Sequence, residues 1–533
     1  MKTQTTLGTH IFPATIVIFI FMPLVQVVYS QISPLFESNF TAYQLLVDTR
    51  IINLLIRSLF LAIMVILTTT LISIPLALLF VYRKFTFSKG FLILCLIPFF
   101  IPPYIQSIVW IHLLGNEGWI NQLFMSFLSL EQPPFSIYGF MGSVFVLSLW
   151  LYPIMLIHYL IAFSQGNIYL EVASLYQSRW MVFRKIIFPL GKHTFWSGIA
   201  LTFVLALINF SVPGILELNV YPVEIFSQIG SFFNFSDASV LSIPYVGLAI
   251  GFVVLFITSS TKMSRFSLIH YRPGVHEIKS PTKEIIIAFL VLFLIITIIL
   301  PIIVLIIETK SFTTFLKAIQ NNWKSLLHSI LLSFAGSILI TAIGFYLNVI
   351  VKKMKTIRPI MLFVLTLPFF IYGGLYGIGL IELWNQKFLH NTIYGTFIII
   401  LLAYLRYLPI GFFLIFLGMI KVPGTFQEIS MISGRKKSDY YYKVLIPLIK
   451  PALAGSLLIS FIFCFMELDT TILIYPPGIE TLPISIFSLL HYGANEMVAA
   501  LCLIQVLVIV MLILVIGFWH TKGGKTNNFE LKT

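Results

Sequence analysis

An all-α polytopic membrane protein, with about twelve transmembrane helices arranged as two parallel six-helix repeats, is the fold class this sequence predicts. Three observations carry that prediction. Of the 533 residues, 59% are apolar and only 10% are charged, whereas soluble domains run near a quarter charged. Apolar stretches of roughly the ~20 residues a bilayer requires recur along the whole length. Short sequence matches also repeat, in the same order and at similar offsets, between the first half of the chain and the second.

The predicted spans of the first half are 11–29, 58–82, 90–113, 137–163, 195–216 and 239–260. Those of the second half are 284–307, 328–351, 358–382, 393–420, 453–475 and 498–519. Their uniform apolar character excludes the alternating ~10-residue segments of a membrane β-barrel. The first stretch follows only Lys2 and lacks a small-residue cleavage site, so it reads as an uncleaved span. With both termini placed in the cytoplasm, 26 of the 33 Lys and Arg residues lie on the inner side. Six lie outside, and Arg406 falls within a span. That is the positive-inside bias. It assigns the net charge of +14 to loops facing anionic lipid rather than to nucleic acid.

The halves are predicted as 1–260 and 284–533, joined by a basic cytoplasmic linker over 261–283. Ile137-Tyr138-Gly139 recurs as Ile393-Tyr394-Gly395, and Pro153 recurs as Pro409 at the same offset. Pro98-Phe99-Phe100-Ile101 recurs as Pro368-Phe369-Phe370-Ile371 at a slightly larger one. Glu171 pairs with Glu428, and Pro189 with Pro447. Six spans per half is an even number, so both halves enter the membrane in the same direction, and a translocation path between them suits the duplication.

Candidate functional residues fall in two places. The longest inner loops join spans four and five of each half. They read EVASLYQSRWMVFRKIIFPLGK from Glu171 and EISMISGRKKSDYYYKVLIPLIKP from Glu428. Apolar residues at helical spacing (Val172, Leu175, Met181 and Phe183; Ile429, Ile432, Tyr441 and Val444) predict short amphipathic helices on the cytoplasmic face. Such helices either cover the bundle or dock a partner. The second place is inside the membrane, where an ionisable group costs at least ~2.5 kcal/mol. Arg406 lies in span ten, with Glu467 and Asp469 in span eleven as candidate partners. On a regular helix, neighbours but one in sequence point to different sides, so at most one acid is expected to face Arg406. A structural ion pair and a gate remain open readings. Pro153, Pro213, Pro368 and Pro409 are expected to permit bends.

The two loops resemble the EAA loop of ATP-binding-cassette (ABC) importer permeases, roughly E-A-A-x3-G-x9-I-x-L-P. The second copy matches at Glu428, Gly434, Val444 and Pro447, with Ser430 at the third position. The first matches at Glu171, Ala173, Ile186 and Pro189, but Gln177 replaces the glycine and the copy is one residue short. Span eleven ends Glu467-Leu468-Asp469-Thr470-Thr471, running to Tyr475-Pro476 and Glu480-Thr481-Leu482. It is similar to the E-L-P-A-T-L signature of fused permeases for ferric iron, a group related to thiamine and phosphonate permeases. Asn209-Phe210-Ser211-Val212-Pro213 is similar to the D-F-x-V-P segment of the same group, with Asn209 in place of the acid.

The resemblance implies a type I importer fold in the bacterial inner membrane, with two copies of a cytoplasmic ATPase docking at the loops. It also implies an extracytoplasmic solute-binding protein delivering a small solute, first of all ferric iron. Thiamine or phosphonate are the alternatives, and an ion-gradient-driven secondary transporter is a rival from another class. It would leave the EAA-like loops unexplained.

No chemistry of the chain's own is expected. Gly523-Gly524-Lys525-Thr526 misses a phosphate loop because Trp519 stands where its first glycine is required. The ten histidines form no HExxH, and no metal-ligand cluster or cofactor motif is evident. Cys95, Cys464 and Cys502 lie in apolar runs and read as packing residues. The chain is thus expected not to be an enzyme, any ATP hydrolysis belonging to a separate subunit.

Overall fold

The computed structural model describes residues 21–31, 44–84, 88–164, 179–263, 276–277, 282–351, 358–385, 387, 392–393, 395–433 and 437–523. These residues are mostly helical, joined by turns and short loops. Their strands are a parallel pair of two residues each, with Arg83 opposite His276 and Lys84 opposite Glu277. Among the described residues, eight helices are long and apolar enough to cross a membrane. Three further helix pairs reach that length only across bends of 92°, 41° and 103°. These eleven correspond one for one to the second through twelfth predicted spans. The first predicted span meets the described residues only at the helix over 21–31.

The chain packs as two compact units, one of Gln31–Thr314 and the other of Met1–Ser30 with Phe315–Thr533. In the first unit the Phe140–Ser164 helix is central, and the Thr49–Tyr82, Ser88–Phe100 and Phe188–Leu207 helices pack around it. It is apolar on every side, as a helix enclosed by other helices must be. The Thr49–Tyr82 helix leaves Phe60, Leu67 and Leu71 exposed, the surface a lipid-facing span presents. In the second unit the Leu408–Ile420 and Ile446–Phe465 helices pack together, and Leu482–His491 packs on Asn495–Gly523. The described helical residues 21–30 belong here. Gly379, in the Gly373–Trp384 helix, lies so close to the Pro23 carbonyl and Val27 that a Cβ would collide with them.

Several predicted spans differ in form from straight helices, span six by a 41° bend between Phe235–Leu241 and Ile243–Leu255. Span three divides into Ser88–Phe100 and Pro103–Leu114, and span nine into Arg358–Phe370 and Gly373–Trp384. Each break follows an internal proline, Pro98 or Pro368, which cannot donate to the preceding turn. Spans five and eleven stop at Leu207 and Phe465, short of the predicted 216 and 475. Short helices, Ser211–Ile215 and Thr471–Ile474, follow each. Pro153, by contrast, sits inside an unbroken 25-residue helix, so it does not break the fourth span.

Local geometries recur at the sequence-repeat spacing. Pro102 (φ −50°, ψ 135°) and Tyr372 (φ −53°, ψ 131°) are related by the offset that carries Pro98 onto Pro368, and they hold the two breaks in the same extended conformation. Five-residue π-turns occupy Phe183–Ile187 and Tyr441–Leu445. Ser58 Oγ accepts from the Tyr221 amide at 2.8 Å, and Ser329 Oγ accepts from the Leu482 amide at 2.6 Å.

Candidate functional site

Arg406 occupies a 3-10 turn, Leu405–Tyr407, between Ile398–Tyr404 and Leu408–Ile420, and is 3% exposed. Its Nη2 donates to the Ile371 carbonyl at 3.0 Å. That carbonyl is set free by the break in span nine. Its Nη1 donates to Thr470 Oγ1 at 2.8 Å and lies 3.5 Å from Glu467 Oε1. Glu467, 4% exposed, also accepts from the Thr470 amide at 2.7 Å and from the Tyr407 hydroxyl. The cluster therefore ties span ten to the break in span nine and the end of span eleven. Among the described residues, the carboxylate that pairs with Arg406 is that of Glu467.

The reason differs from the one helical spacing suggested. Residues 466–470 are not helical, and the Glu467 carboxylate instead caps the amide of Thr470 ahead of the Thr471–Ile474 helix. Asp469 is half-buried and makes no hydrogen bond to a described residue. Its Cβ lies beside Gly373, at a spot where any added Cβ would also meet the Arg406 guanidinium and Thr470 Oγ1. A glycine is required there by this close approach.

The first unit closes the matching break with neutral groups. Trp150 precedes Arg406 by the offset that relates Pro153 to Pro409, and it donates from Nε1 to the Phe99 carbonyl at 3.0 Å. Asn209 precedes Glu467 by the offset that relates Pro189 to Pro447, and it accepts from the Val212 amide at 3.0 Å. Pro213 is buried in the Ser211–Ile215 helix that follows. The same task of satisfying a broken helix falls to an indole and an amide in one unit, and to an ion pair in the other.

Sequence reasoning missed a second polar contact, His112 Nδ1 to Glu308 Oε2 at 3.5 Å. Both residues sit at the ends of predicted spans, where a polar residue draws no notice. The offset that carries Pro98 onto Pro368 places Glu382 at the position of His112, and that repeat was the available signal.

Of the predicted inner-loop residues, Glu171, Ala173 and Gly434 lie outside the described residues, as do Val172, Leu175 and Gln177. Pro189 and Pro447 are exposed, each at the start of the long helix after its π-turn. Glu428 is exposed in the first turn of the Thr425–Ile432 helix, where a carboxylate suits the helix dipole. Phe426, Ile429 and Ile432 of the same helix are exposed, Ile432 to 86%. The loop's other end is held inward. Tyr440 and Leu445 are buried in one apolar cluster with Ile415, Met419 and Ile449, and Tyr441 and Val444 pack against its edge. An apolar, acid-bearing helix face turned outward on an anchored loop suits a protein partner. Among the described residues no group of His, Cys, Asp and Glu side chains is arranged to hold a metal ion.

No protein-family model matches the chain. It is 23% identical over 455 residues to the ferric transport system permease protein FbpB of Actinobacillus pleuropneumoniae, covering 80% of this chain and 65% of that protein. It is 23% identical over 444 residues to a putative ferric transport system permease protein FbpB 1 of Haemophilus influenzae, covering 79% and 70%. A putative 2-aminoethylphosphonate transport system permease protein PhnV of Salmonella paratyphi A is 27% identical over 195 residues, 36% of this chain and 72% of that protein. The chain thus spans about two-thirds of the length of the ferric relatives it matches. By its apolar helices the chain is a multi-pass membrane protein, and it is similar to permeases of ferric transport systems.

Proposed function

We propose that the chain is the membrane-spanning permease of an ABC importer in the bacterial inner membrane, with both termini cytoplasmic and ferric iron as its solute. Its two sequence halves, 1–260 and 284–533, form the two permease repeats. Two ATPase copies dock on the loops from Glu171 to Pro189 and from Glu428 to Pro447. An extracytoplasmic binding protein delivers the solute, and ATP-driven closure of the ATPases switches the cavity between outward- and inward-facing states. Asn209, Pro213, Arg406, Glu467 and Asp469 line or steady the gate, since they sit where helices break within the membrane.

The observation that carries this reading is the Thr425–Ile432 helix. It presents Phe426, Ile429 and Ile432 outward beside Glu428, while Tyr440 and Leu445 root the loop in the bundle. The ferric relatives, matched across four-fifths of the chain, favour iron. The phosphonate relative, matched across about a third, makes phosphonate the second reading.

The test is affinity purification of the tagged chain in mild detergent, with mass spectrometry of bound proteins and uptake of radiolabelled ferric iron by cells. A stoichiometric ATPase bearing a phosphate loop is expected. Glu428→Lys or Gly434→Pro should abolish uptake while the chain still inserts. Normal uptake in both variants would sink the coupling role. A chain that purifies alone from several detergents, with uptake that collapses with the ion gradient, would replace the importer by a secondary transporter.

A further inference from the structure

Between the outward-facing Thr425–Ile432 helix and the Ile446–Phe465 span lie a one-turn helix, Lys437–Tyr440, and the π-turn Tyr441–Leu445. A π-turn widens the helix by one residue and weakens its hydrogen-bond ladder, and such turns recur at functional positions. Force applied to the loop would therefore be lost in this soft joint unless something bridges it. Tyr440 does so. It is the last residue before the π-turn, is 5% exposed, and lies in one cluster with Ile415 and Met419 of the Leu408–Ile420 helix and Ile449 of the Ile446–Phe465 helix. Phe345 and Val349 of the Phe312–Val351 helix pack on the same cluster. One loop side chain is thus wedged among the ends of three spans. Close-packed interiors transmit displacement rather than absorb it.

The arrangement recurs in the first half, at the offset that relates Pro189 to Pro447. Val182 ends the helix Arg179–Val182, precedes the π-turn Phe183–Ile187, and is 3% exposed. The position is the same, but the wedge is far smaller.

We propose that Tyr440 is the positioning residue that carries movement of the Glu428–Pro447 loop into the bundle across its π-turn, with Val182 as its lesser counterpart in the other loop. The inference rests on the reading of these loops as ATPase-docking elements. It adds that the two loops are mechanically unequal, the second transmitting the larger share.

The test uses the affinity-purified complex and intact cells carrying Tyr440→Ala, Tyr440→Phe or Val182→Ala. Three quantities are read: ATPase bound per chain, basal ATP hydrolysis, and uptake of radiolabelled ferric iron. For Tyr440→Ala, the exposed residues Phe426, Ile429 and Ile432 are untouched, so the ATPase should still be bound while the ratio of uptake to ATP hydrolysed falls. Uptake should fall about tenfold, within the usual 5- to 150-fold range of coupling between sites. Tyr440→Phe keeps the ring and should restore uptake. Val182→Ala should cost less than Tyr440→Ala. Wild-type uptake in Tyr440→Ala overturns the proposal. So does loss of the ATPase from that complex, because Tyr440 would then hold the docking face rather than transmit from it. A fall as large in Val182→Ala overturns the inequality. If Tyr440→Ala fails to reach the membrane, Tyr440→Leu and Met419→Ala on the other side of the contact are read by the same three quantities. A wild-type chain that binds no ATPase overturns the importer reading itself, an outcome visible before any variant is made.

Discussion

Replacing Arg406 by Met strips the broken helices of their shared donor while keeping an unbranched apolar stem of similar length. The change removes the hydrogen bonds to Ile371 and Thr470, at 3.0 and 2.8 Å, and the charge 3.5 Å from Glu467. Glu467 keeps the Thr470 amide and the Tyr407 hydroxyl, but at 4% exposure it becomes a buried carboxylate without a counter-charge. Breaking a buried pair from one side costs about 3–5 kcal/mol, because the surviving charge is left desolvated. At roughly 2–4 °C per kcal/mol for units of this size, the single variant should melt ~6–20 °C below wild type. Adding Glu467→Gln removes the stranded charge, so the double variant should recover at least half of the loss. The assay is thermal unfolding in lipid nanodiscs followed by tryptophan fluorescence, with all four corners of the double-mutant cycle measured. An Arg406→Met midpoint within ~2 °C of wild type would refute the reasoning. A double variant as unstable as the sum of the singles would also refute it, since residues in direct contact should couple by ~0.5–3 kcal/mol.

Gly373→Ala should disrupt the same cluster from the opposite side, because its Cβ would collide with the Arg406 guanidinium and with Asp469. Gly377→Ala, whose nearest neighbour would be Ile474 at an ordinary 3.5 Å, is the control. Overpacking of this kind costs about 1–3 kcal/mol, so only the first variant should melt early. Ser58→Ala and Ser329→Ala should each orphan one buried amide, that of Tyr221 or Leu482, at about 1–3 kcal/mol. Hydrogen exchange by mass spectrometry should quicken at residues 221 and 482 respectively, and unchanged exchange at either would count against that bond.

What the sequence made legible was set by the bilayer. Spans two to twelve could be read because a crossing helix must be long and apolar, and little else in a chain is both. The breaks in spans three and nine were hidden for the same reason. Residues 98–103 and 368–373 are as apolar as their surroundings, and the bend shows only as Pro98 and Pro368 at matching places. The ends of spans five and eleven were overrun because Asn209 and Glu467 look like polar residues within helices. In the structure they lie past the ends of those helices and accept from the Val212 and Thr470 amides at the start of the short helices that follow. Arg406 and Glu467 could be nominated because charge in a span is costly, but only the non-helical path of 466–470 decides between Glu467 and Asp469. In the predicted inner loop, spacing marked Ile429, Ile432, Tyr441 and Val444 alike as apolar positions of short amphipathic helices. They lie on separate elements: Ile429 and Ile432 are exposed on the Thr425–Ile432 helix, while Tyr441 and Val444 lie in the π-turn and pack inward.

The membership of the second compact unit has a consequence for synthesis. The helix over 21–31 packs where Gly379 admits Pro23 and Val27, so a ribosome delivers this segment long before its seat exists. At about 5–20 residues per second, the roughly 350 intervening residues make a wait of about 20–70 s, far longer than helices need to form and collide. During that interval the early segment must be kept by lipid or by an insertion factor. A cut in the linker would part it from its seat, so a pair of co-expressed half-chains would have to find each other before either finished folding.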